Sequence, residues 1–128
     1  MSEAQKMDTP EQAAFRAHCQ EWLANNHPGR PTVKLPLGAL ELSDPNALAW
    51  LQEWQKSAYD AGLIGCDYPR EVGGGGRENC QSIANTEMQR AQTPYLPNII
   101  GMGMAAPTVF FHGRDEVKAE LLPKLLSG

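Results

Sequence analysis

Four consecutive glycines, Gly73-Gly74-Gly75-Gly76, are the first feature of this chain whose type and spacing could do chemistry. Backbone N–H groups in glycine loops cradle anions. A phosphate loop needs a lysine and a hydroxyl residue after its last glycine, and here Arg77-Glu78 follow. No strand pattern precedes the run, so the dinucleotide-binding fingerprint fails as well. The reading that remains is a sharp connecting loop in which glycine supplies positive φ.

The other reactive residue types are scattered. His18, His27 and His112 do not lie at i, i+3 or i+4 from one another, and no HExxH setting exists. His112, beside Gly113, reads as a group that satisfies free carbonyls at a helix end, where a cation also suits the dipole. Glu87 lies beside Met88 and one turn from Arg90. A catalytic carboxylate is one reading, but a partly buried glutamate paired with a basic residue is commoner, and no partner is evident to tune it as an acid or base. Cys19, Cys66 and Cys80 are widely spaced, with no CxxC and no zinc-finger spacing, and read as small core residues in a reducing compartment. Trp22, Trp50 and Trp54 fall at spacings typical of core and interface.

Gly101 and Gly103 lie within a nearly uncharged run, Pro97 to Pro107. Glycine in a helix costs about 1 kcal/mol relative to alanine, so both need a reason. Close helix packing is one, and room for a ligand's chain is the other. The residues alone leave both open.

Five helices are needed to position these groups. Thr9-Pro10-Glu11-Gln12 is a start signal in which Thr9 caps, Pro10 takes the first helical position and Gln12 closes a capping box. Phe15, Cys19, Trp22 and Leu23 then share a face, and the helix ends near Asn25-Asn26 before Pro28-Gly29. A loop rich in Pro and Gly is expected over 27–43. Asp44 is expected to cap a second helix with the stripe Leu48, Leu51, Trp54, Ala58 and Ala61, stopped by Gly62. The third is expected from about Glu78 to Ala91, and the fourth, buried on all sides, follows Pro94 and Pro97. Gly113 ends it, Asp115 caps a fifth, and Val117, Leu121, Leu122 and Leu125 form that helix's inner face. Pro107 and Pro123 are expected to kink or divide their helices. No strand is convincing.

Composition narrows the class. At 128 residues, with 41% hydrophobic and 20% charged residues, the chain reads as one soluble globular domain. A net charge of −4 without any Lys/Arg cluster sets nucleic acid aside. The apolar run before Pro107 is too short and glycine-rich for a membrane span, which needs about 20 largely apolar residues. Met1 to Met7 has neither the apolar run of a secretory signal nor the arginines of a transit peptide, so a cytoplasmic location is expected.

The chain resembles the N-terminal helical domain of the acyl-CoA dehydrogenases. The resemblance rests on Ala61-Gly62-Leu63-Ile64-Gly65, Tyr68-Pro69-Arg70-Glu71-Val72-Gly73-Gly74-Gly75-Gly76, Glu87, Pro107, and the run from His112-Gly113 through Leu122-Pro123 to Ser127-Gly128. It implies an all-α, five- to six-helix orthogonal bundle over residues 9–128 after a flexible stretch at 1–8. A β-barrel-like middle domain and a C-terminal four-helix bundle, neither of them in this chain, would complete the enzyme. It further implies FAD between those domains, α,β-dehydrogenation of an acyl-CoA thioester, reoxidation by an electron-transferring flavoprotein, a role in fatty-acid β-oxidation, and a homo-oligomer. The catalytic glutamate and main flavin motifs belong to the other domains, so the chain alone is expected to bind no FAD and to be inactive. Its own contribution would be the acyl-chain wall, at positions that map to Tyr95, Leu96, Ile99, Ile100 and Gly103. Glycine at 103, where many members carry a larger residue, implies a deep or wide cavity.

Two other classes share parts of this reading. Acyl-CoA oxidases and flavin-dependent monooxygenases use the same helical domain. A non-catalytic helical interaction module predicts instead a monomer with no exposed apolar patch.

Overall fold

The computed structural model describes residues 7–128. Its helices are α1 (Pro10–Asn26), α2 (Pro45–Asp60), α3 (Gln81–Arg90), α4 (Ala106–His112) and α5 (Asp115–Ser127). Two 3-10 turns, Ala39–Glu41 and Arg70–Val72, and one π-helical turn, Gly101–Ala105, complete the order. Among the described residues there is no strand, and the domain is all-α. Of the stretch 1–8 expected to be flexible, residues 1–6 lie outside the described residues. Asp8 lies inside them, and its carboxylate accepts from Arg16 at 2.7 and 3.2 Å.

Local signals place the first two helices. The Thr9 hydroxyl accepts from Gln12 N at 3.1 Å while Gln12 Oε1 accepts from Thr9 N at 2.9 Å, a complete capping box. Asp44 caps α2 by accepting from Asn46 N, and Gly62 follows the helix at φ +88°. The inner face of α2 differs from the expected stripe. Leu51, Trp54 and Ala58 are buried, but Leu48 is 40% exposed, and Ala47 and Gln55 take the inward positions beside them. The face is centred on 47, 51, 54, 55 and 58, and its polar member cannot announce itself by hydropathy.

Helix α3 begins at Gln81 rather than near Glu78, because Asp67 reaches across from the preceding loop. Its carboxylate accepts from Cys80 N at 2.8 Å and Gln81 N at 3.3 Å, filling donors that a helix start leaves free. Helix α1 lies along α3, while α5 packs on both α2 and α4. Their shared core includes Phe15, Cys19, Trp54, Leu63, Cys66, Ile83, Met88 and Leu122.

The expected fourth helix is neither uniform nor buried on all sides. It divides into the π turn Gly101–Ala105 and α4, whose first residues include Pro107. Proline lacks the N–H that would continue the ladder, and the wider turn before it absorbs the mismatch. Ile100, Met104 and Phe111 are 54%, 68% and 73% exposed. Helix α5 is capped from Arg114 in extended backbone, with Asp115 inside its first turn. Leu122 and Leu126 are its buried residues, whereas Val117 and Leu121 face outward. The helix runs through Pro123 to Ser127 without a break.

The glycine run folds as a tight turn. Gly73 and Gly76 have φ of +88° and +63°, and Gly74 N and Gly76 N donate to Pro69 O and Tyr68 O at 3.0 and 2.8 Å. A Cβ on Gly74 would press on the Tyr68 carbonyl oxygen, a backbone atom with no rotamer to escape into. We expect Gly74→Ala to cost about 1–3 kcal/mol, the usual range for overpacking. Gly38→Ala, whose Cβ meets nothing within 4 Å, should change stability by less than about 0.5 kcal/mol. Urea melts of the two variants test the contrast.

Candidate functional site

A cleft of about 340 Å³ opens between the start of α3, the loop that follows α2 and the helical segment from Ile99 to Gly103. Small-molecule sites usually fall between about 300 and 1,000 Å³. Ile64, Gly65 and Tyr68 form one side of it, and Leu96, Ile99, Met102 and Gly103 form the other. Leu126 of α5 contributes as well, and Gln81 and Asn85 of α3 are the polar members.

Of the five residues expected at an acyl-chain wall, three meet here: Leu96, Ile99 and Gly103. Tyr95 does not line the cleft; its hydroxyl donates to Pro36 O at 2.8 Å and tethers the 27–43 loop. Ile100 points away and is 54% exposed. The two helical glycines separate cleanly. A Cβ on Gly101 would strike the Asn98 side-chain amide, so this glycine serves close packing. A Cβ on Gly103 meets nothing within 4 Å, so its missing side chain leaves open cleft.

The polar groups are mostly committed to structure. Gln81 Oε1 accepts from Cys66 N, and its Nε2 donates to Leu63 O and Asn85 Oδ1, each at 3.0 Å. This one side chain pins the loop wall of the cleft to α3. The amide nitrogen of Asn85, which is exposed, and the Tyr68 hydroxyl have no hydrogen-bond partner among the described residues. Burial pushes the Tyr68 hydroxyl pKa up, so it stays protonated at neutral pH.

Elsewhere the reactive residue types are held in structural contacts. Burial pushes the Cys19 and Cys66 thiols up to about 12 and raises Cys80 too, which removes all three as nucleophiles near neutral pH. His18 Nε2 donates to Ala61 O at 2.8 Å and His27 Nε2 to Ala91 O at 2.9 Å, at the C-terminal ends of α2 and α3. His112 stands in the last turn of α4 with no carbonyl partner among the described residues, so the capping expected of it there is not made, while His18 and His27 cap two other helices. Glu87 is 4% exposed and accepts from Arg16 at 2.8 Å and Gln20 at 3.3 Å, with Arg90 at 3.6 Å. It is a paired core carboxylate, as the commoner reading of the sequence has it.

The acyl-CoA dehydrogenase N-terminal domain family matches residues 9–128. The chain belongs to that family. It is 31% identical over 113 residues to acyl-CoA dehydrogenase IpdE1 of Mycolicibacterium smegmatis, covering 88% of this chain and 29% of that protein. It is 36% identical over 74 residues to a probable acyl-CoA dehydrogenase of Bacillus subtilis, covering 57% of this chain and 12% of the relative. The chain therefore spans less than a third of the length of either relative. No solved structure matches it at a significant level.

Flavin, which the family resemblance implies, finds no phosphate cradle in the glycine run of this acyl-CoA dehydrogenase domain. The backbone N–H groups of Gly73, Gly74, Gly75 and Gly76 already donate to Arg70 O, Pro69 O, Gly65 O and Tyr68 O. Among the described residues no helix is long and apolar enough to cross a membrane, and no cluster of His, Cys, Asp and Glu is suited to a metal ion. Ile64, Tyr68, Met102 and Leu126 escaped the sequence reading as cleft residues. Ile64 and Tyr68 stood in the loop motifs, but nothing in the sequence says that this loop folds against Ile99.

The Asp8–Arg16 pair makes stability pH-dependent. Hydrogen bonding from Arg16 lowers the Asp8 pKa, against a smaller opposing effect of burial. A carboxylate depressed in the folded state contributes stability above its unfolded pKa of about 3.9, and loses it as pH falls through the folded value. Asp8→Asn should therefore melt below the parent at pH 7, and the gap should close in acid below about pH 4. Thermal melts across that range check this, and a gap that persists in acid would assign the loss to something other than the ion pair.

Proposed function

We propose that this chain is the N-terminal domain of an FAD-dependent acyl-CoA dehydrogenase and that its cleft walls the acyl chain of the thioester. The observation that supports this is a small apolar cleft, with Gly103 open to it, in a chain of this family. Its lining suits a hydrocarbon, since burying each methylene is worth about 0.8 kcal/mol. The Asn85 amide and the Tyr68 hydroxyl provide polar contacts on an otherwise apolar surface. Other domains would supply the flavin and the proton-abstracting glutamate, and an electron-transferring flavoprotein would reoxidise the enzyme. The whole protein would act as a cytoplasmic homo-oligomer in fatty-acid β-oxidation. This domain would exclude water from the acyl chain and fix how deep the chain reaches.

The test uses the protein expressed over its whole reading frame. Bound flavin is sought in the visible spectrum, and acyl-CoAs of graded length are added without oxygen. Bleaching of the flavin by one length class is the expected result; absence of flavin, or bleaching by none of the thioesters, would withdraw the proposal. Gly103→Leu should leave melting nearly unchanged, because the side chain enters open space. It should weaken the longest accepted acyl chain by about tenfold or more, equivalent to losing two or so buried methylenes. Steady-state KM values across the series check this.

A further inference from the structure

Gln55 is a fully buried carboxamide in the middle of the apolar face of α2. A polar group leaves water at a cost unless it is hydrogen-bonded, so its partners explain its presence. Its Nε2 donates to Leu126 O at 3.0 Å, with Leu125 O and Met102 Sδ each at 3.5 Å. Its Oε1 accepts from the backbone N of Asn98 at 3.2 Å. One side chain on α2 therefore holds the last turn of α5 and the residue that precedes Ile99.

Asn98 closes the arrangement. Its Nδ2 donates to Leu125 O at 2.8 Å, and its backbone oxygen accepts from Met102 N at 2.9 Å. The same side chain lies over Gly101 so closely that a Cβ there would overlap it. The π turn then closes through the Ala106 N–H, which donates to Gly101 O. Ile99, Met102 and Gly103 face Leu126 across the cleft. Both sides of that gap are thus referred to Gln55 and Asn98, neither of which lines it.

We infer that Gln55 and Asn98 are positioning residues that set the width of the cleft by fastening the Ile99–Gly103 wall to the end of α5. Gly101 belongs to the same device, because only glycine lets the Asn98 amide lie over the helix and reach Leu125. The inference deepens the acyl-chain reading of the cleft, while the fastening itself does not depend on which ligand enters.

The experiment measures amide hydrogen exchange in the protein expressed over its whole reading frame, bearing Gln55→Leu or Asn98→Ala, and then binding of acyl-CoAs of graded length. The amides of Asn98, Met102 and Ala106 should exchange about tenfold or more faster in Gln55→Leu, while amides within α1 and α3 keep their rates. Asn98→Ala, which leaves the backbone N–H of residue 98 to Gln55, should show a smaller change confined to the same three amides and serves if Gln55→Leu does not fold. In both variants the affinities for thioesters of different acyl length should converge. Uniformly faster exchange over the whole chain, or unchanged exchange at these amides, would overturn the inference. If the parent protein binds no thioester, the acyl-chain reading loses its support in this domain, and the exchange pattern still decides the fastening.

Discussion

Helix α5 can lie against the loop between α2 and α3 only because two positions of that loop have no Cβ. A Cβ on Gly65 would sit 2.6 Å from Leu126 Cδ1, and one on Gly73 would sit 2.8 Å from Pro123 Cγ. Both glycines also have positive φ, +72° and +88°, so the loop turns at the same residues that admit the helix. Pro123, inside α5, packs its ring against Gly73. The fully buried Leu122 and the nearly buried Leu126 follow from that seating, and Leu126 then becomes part of the cleft.

The loop is held by three further contacts. Asp67 caps α3, Gln81 reaches back from α3 to Leu63 and Cys66, and the Tyr59 hydroxyl donates to Gly73 O at 2.6 Å. Two of these contacts join the loop to the first turn of α3, and the third joins it to the end of α2. A segment of such irregular backbone would otherwise leave polar groups without partners, and burial would be costly. The result is a rigid wall at Ile64, Gly65 and Tyr68, facing the helical segment from Ile99 to Gly103. The opposing wall carries the irregularity: a π turn, two glycines and a proline lie within Gly101–Pro107. π turns occur often at functional sites because the extra residue redirects side chains without ending the helix. Here the turn leaves Met102 and Gly103 on the cleft and sends Met104 to solvent.

Much of the frame was legible residue by residue. The capping box at Thr9 and Gln12, the cap at Asp44, the stop at Gly62 and the break at Gly113 are local interactions within a few residues of one another, and local spacing reveals them. The start of α3 was missed because its cap, Asp67, lies thirteen residues before Cys80. The inward position of Gln55 was missed because hydropathy reads a glutamine as exposed. The apolar content of the fourth segment predicts burial, yet Ile100, Met104 and Phe111 face outward. Apolar composition reports a preference for burial, and only neighbouring elements decide whether it is met.

The amino-acid order by itself determined the helical class, most helix ends, the turn at the glycine run and the family, because these depend on local backbone preferences and on motifs in sequence. It also placed Leu96, Ile99 and Gly103 on one short stretch. Tertiary structure alone decided that Ile64, Tyr68 and Leu126 face that stretch, that Tyr95 is spent on Pro36, and that Gly101 and Gly103 have different reasons to be glycine. Those facts arise from contacts between residues far apart in the chain. Their existence depends on how helices seat on one another, which no local spacing encodes.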